Sequence, residues 1–162
     1  MSDSHNDEEG VIGYQATTVT PAIMHPMAAG TRQFVPLIAR ATSEPVFAGT
    51  GLASGDSTTA IGGWEGDRIL NNGATPSDLV VLFEAPFVNT DGTPDVMQTT
   101  MYRGGGGGLV FAAGTVAWNE ALDPQNVAGK ADERLQRLTR NLLAVLLGQP
   151  GPSASEQIRG GR

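Results

Sequence analysis

The chain has 162 residues, enough for one domain with one core, with 17% charged residues, 6% aromatics and 22 glycines, a mix that points to a compact, turn-rich body and not a helical bundle. The formal net charge of −7 argues against a nucleic-acid partner; four of the acids are Asp3, Asp7, Glu8 and Glu9, and without them the balance is 13 acids to 10 bases. The absence of cysteine excludes disulfides, thiolate nucleophiles and Cys-ligated metal, and no apolar run reaches the roughly 18 residues of a membrane span.

In chain order, residues 1–10 read as an acidic tail without the basic and apolar regions of a signal peptide, so a cytoplasmic location is expected. Residues 11–148 read as a single domain, followed by a Gly-, Pro- and Ser-rich tail over 149–162. Between Tyr14 and Phe47, apolar runs alternate with Pro21, Pro26, Pro36 and Pro45, which suits short edge strands and turns, because proline cannot donate to a ladder. Gly49 to Asp56 reads as a glycine-rich bend, and Asn71-Asn72-Gly73 as a turn.

The run Leu79 to Phe83 is continuously apolar, as expected of a strand covered on both faces. A polar loop over 89–95 leads to two strands, Met97 to Arg103 and Leu109 to Ala113, joined by Gly104 to Gly108. The spacing of Leu135, Leu138, Leu142 and Val145 or Leu146 predicts a helix from about Ala128 to Leu147, on which Glu133 can pair with Arg137 at i,i+4. Gly148 and Pro150 supply its stop. One helix leaves a two-faced strand short of cover, so a second subunit, identical or different, is expected.

Most candidate motifs reduce to local structure. The glycine run lacks the Lys-Ser or Lys-Thr and following helix of a phosphate loop, so it reads as a hairpin loop. Asp91 and Asp95 do not follow the twelve-residue calcium pattern and read as a solvated turn. His25 is the only histidine outside the acidic tail, and no Gly-x-Ser-x-Gly elbow exists. Glu65 stands apart: it follows Trp64 and is flanked by Gly63 and Gly66, which allow close approach. A local alternative pairs it with Arg68 at a turn.

Two segments carry a resemblance. Gly62-Gly63-Trp64-Glu65-Gly66-Asp67-Arg68, and Met101-Tyr102-Arg103 followed by Leu109 to Trp118 with its Val-Phe-Ala-Ala-Gly-Thr run, resemble motifs of the N,N-dimethylformamidase large-subunit family. Leu122-Asp123 and Thr139 to Leu143 continue the likeness, which spans about Pro45 to Gly148. The resemblance implies a β-rich α/β fold, part of a class I glutamine-amidotransferase-like domain without its cysteine nucleophile, with one long C-terminal helix on a sheet. It implies an amide hydrolase whose mononuclear iron, held by two tyrosines and a glutamate, polarises an amide carbonyl and activates water. The glutamate falls on Glu65. The tyrosines do not carry over, because Tyr14 and Tyr102 stand in other contexts.

The chain is therefore expected to act in a complex, with no metal when isolated, iron only when a partner chain completes the site, and a small amide as substrate. The competing class is a noncatalytic interaction or assembly protein.

Overall fold

The computed structural model describes residues 14–17, 34–63, 66–70, 73, 75–88, 94–125 and 129–149. The expected tails over 1–10 and 150–162, and His25, lie outside these residues. Seven strands and one α-helix form: β1 Tyr14–Thr17, β2 Val35–Ala39, β3 Ser57–Gly62, β4 Gly66–Ile69, β5 Val80–Val88, β6 Pro94–Arg103, β7 Leu109–Ala112 and α1 Glu133–Leu146. Strands β3-β2-β5-β6-β7 make one sheet, and β1 pairs with β4 in a two-stranded ribbon. Every pairing among the described residues is antiparallel, so the domain is β-rich with a single C-terminal helix.

The apolar run at the start of β5 buries itself within this chain. The register slips between Val81 and Phe83 opposite Thr100 and Thr99. A bulge of this kind leaves one residue unpaired and turns its neighbours. Leu82 and Phe83 are consequently both fully buried, whereas Val80 and Val81 are only half-buried. The continuous hydrophobicity thus reflects a bulge, and does not by itself call for a covering subunit.

One face of the sheet carries Leu37, Ile61, Phe83 and Met97 into the core, where Leu135, Leu138 and Leu142 of α1 join them. Phe83 packs against Phe47 at 5.3 Å with the rings tilted by 43°, and meets Trp118 edge-on at 6.1 Å. The Trp118 Nε1–H donates to Thr139 Oγ1 at 3.2 Å, giving the indole's polar tip a partner on the helix. Asn141, buried on the same helix, donates through Nδ2 to the carbonyls of Val46 and Ala48 at 2.9 and 2.8 Å, and so holds the 3-10 turn Pro45–Phe47 against α1.

The helix begins later than its periodicity predicts. Asp132 is its N-cap, accepting from Arg134 N–H at 3.0 Å, so the helix starts at Glu133. The predicted stop holds: Gly148 adopts φ 65° and donates to Val145 O. Val145 packs on the core while Leu146 is exposed. The Glu133–Arg137 pair is not among the ion pairs of the described residues; the helix's short ion pair is Arg134–Asp132 at 2.7 Å. Among the described residues, no helix is long and apolar enough to cross a membrane.

Asp132 also reaches across to β3. Its carboxylate accepts from Thr59 N–H at 3.0 Å, while Thr59 Oγ1 donates to Lys130 O at 2.8 Å and Arg134 Nη2 to Ser57 O at 3.1 Å. Burial alone pushes the Asp132 carboxyl up, but hydrogen bonds from Arg134 and Thr59 and the Arg134 charge outweigh it and hold it below the usual carboxylate value.

Two outcomes follow from this packing. Leu138 is fully buried, so Leu138→Ala should cost about 2–5 kcal/mol, read as a lower denaturant midpoint. Because the unfolded state holds the Asp132 proton more tightly than the folded state, its contribution is present above about pH 4 and is lost as pH falls through the lower folded value. Denaturation midpoints of the wild type should therefore drop more steeply on acidification below about pH 4 than those of Asp132→Asn; parallel pH profiles would show that the carboxylate contributes nothing.

Candidate functional site

Trp64 and Glu65 lie outside the described residues, but both flanks of this pair are described. β3 ends at Gly62, with Gly63 buried, and β4 begins at Gly66, also buried. Gly62 is closely confined, since a Cβ there would sit 3.0 Å from Val35 O and 3.1 Å from Ala85 Cβ.

Thr115 ties the two flanks together. Its Oγ1–H is shared between Ile61 O at 2.9 Å and Gly63 O at 3.0 Å. Its backbone forms an antiparallel bridge with Gly66. The next N–H along, that of Asp67, donates to Gly114 O at 3.0 Å. The same Thr115 oxygen accepts from Ala117 N–H at 3.2 Å and caps the 3-10 helix Val116–Ala121. One buried hydroxyl therefore joins the segment around Glu65 to the second motif segment.

Gly114 explains how Thr115 reaches this position. It adopts φ 73°, and an added Cβ would lie 2.3 Å from Gln98 O. Only glycine meets both demands, the left-handed backbone and the contact with β6. The Ala-Gly-Thr order is thus a packing requirement as well as a motif.

The polar groups around β4 are engaged with one another. Arg68 Nη1 donates to both oxygens of Asp95 at 3.2 Å, so this guanidinium has a carboxylate partner other than Glu65. Asp95, weighed as a calcium ligand, also accepts from Val96 N–H at 2.8 Å. Ile69 N–H donates to Gln98 Oε1 at 3.0 Å, Gln98 Nε2 to Glu84 Oε1 at 3.2 Å, and Arg40 Nε to Glu84 Oε2 at 2.8 Å. This chain fastens the β1–β4 ribbon to the main sheet.

Among the described residues, no three His, Cys, Asp or Glu side chains converge on a point that could hold a metal. The charged orphan near the segment is Arg68 Nε–H, buried without an acceptor among the described residues, and a cationic donor cannot ligate a cation. The two tyrosines fall on different strands: Tyr14 is opposite Ile69 in the β1–β4 ribbon, and Tyr102 opposite Val110 in the β6–β7 pair. The described residues alone do not fit a mononuclear iron site. The pairing of Tyr14 with the strand that follows Glu65 escaped sequence reasoning, and no turn signal between them announces it.

An open groove of about 540 Å³ lies elsewhere, lined by Thr42, Ser43, Glu44, Pro45, Phe47 and Leu52 among others. Its one ionisable lining residue is Glu44, and it includes no motif residue. It offers no pair of groups for acid–base chemistry.

The family model described as N,N-dimethylformamidase beta subunit-like, C-terminal, matches residues 3–132. The match begins well upstream of the expected Pro45 and covers both motif segments. It stops at Asp132, the cap of α1, so the helix lies beyond it. No curated protein matches the chain.

Thr115→Val keeps the shape but removes the hydroxyl, stripping Ile61 O, Gly63 O and Ala117 N–H of a partner. A loss of about 1–3 kcal/mol is expected from these buried groups. Thr115→Ser should retain most of the stability. Equal denaturation midpoints for Thr115→Val and wild type would show that the hydroxyl does not hold the two segments together.

Proposed function

The chain belongs to the N,N-dimethylformamidase beta subunit-like, C-terminal family, and from that premise we propose that it is one part of an amide hydrolase acting in a complex. In this reading Glu65 contributes one carboxylate to a site that a partner chain completes, the substrate is a small amide, and the work is done in the cytoplasm. The observation that supports it most is the anchoring of both flanks of Glu65 to Thr115, which makes the two family-like segments one structural unit. Fixed flanks suit a residue whose side chain must be held for a ligand, because a loosely held carboxylate loses most of its value in a site.

The glutamine-amidotransferase-like relation belongs to the same proposal. The strands described in this chain pair antiparallel, so the parallel core of such a domain would lie in the other half. Any iron would likewise depend on tyrosines from that half, since Glu65 is the only residue of this chain that carries over. No reaction step is assigned to the metal.

A noncatalytic interaction or assembly role is the second reading. It is favoured by the lack, among the described residues, of any convergent group of ionisable side chains.

The two readings separate on the native complex, purified with its copurifying chains. Glu65→Gln should abolish both metal content and amide hydrolysis of that complex, with circular dichroism and subunit composition unchanged. Full metal content and activity in Glu65→Gln would remove the carboxylate from the site. A wild-type complex without hydrolysis of any small amide would favour the noncatalytic reading.

A further inference from the structure

We draw no further inference here: the strongest candidate, the surface patch of exposed Leu143, Leu146 and Leu147 at the C-terminal end of α1 beside the exposed Arg137 and Arg140, is an apolar helix face for which nothing in the structure shows what covers it.

Discussion

Ser57, Thr59, Ile61 and Gly63 each offer a backbone group along the outer side of β3, and each meets a side chain drawn from residues 115–134. A bare edge would leave these groups to water or to another chain. Covering them with Thr115, Asp132 and Arg134 makes two demands on the fold. The chain after β7 must return across the sheet to reach β3, and α1 must begin where the Asp132 carboxylate can cap it and still touch Thr59. The position of the helix, and with it the lid on the core, depends on this row of contacts.

Asp132 and Thr115 each serve two structures at once. Asp132 caps α1 and binds the edge, and its buried charge is matched by Arg134, which itself donates to Ser57 O. A buried carboxylate is tolerable only when hydrogen-bonded and paired in this way. Thr115 caps the 3-10 helix and joins the flanks of the Trp64–Glu65 pair. The family match ends at Asp132, the residue that closes the edge, while Leu135, Leu138 and Leu142 beyond it complete the apolar core. In this chain the helix beyond the family segment packs into the same apolar core as that segment.

Among the described residues, the opposite edge has no such row. β7 ends the sheet beside a run of glycines, with the Arg103 N–H taken by Asp78 on the β5 side and, among the described residues, nothing comparable outside. The two edges of the sheet thus differ, among the described residues, in how their backbone groups are met.

Local order left its mark in the sequence wherever a short-range rule was sufficient. The leucine spacing of α1, its glycine stop and the hairpin around Gly104 to Gly108 were legible, because helical periodicity, positive φ and turn chemistry act over a few residues. The family resemblance likewise singled out both segments that Thr115 joins. The tertiary structure decided the rest. Whether Asp132 or Glu133 would be the partner of an arginine depended on β3, more than 70 residues away in the chain. Whether the run at Leu79 to Phe83 was two-faced or bulged depended on register with β6, and Arg68 turned to Asp95 because β4 lies against that strand. Polar partners and strand register are set by which distant backbone arrives alongside, and composition or spacing carries no record of that.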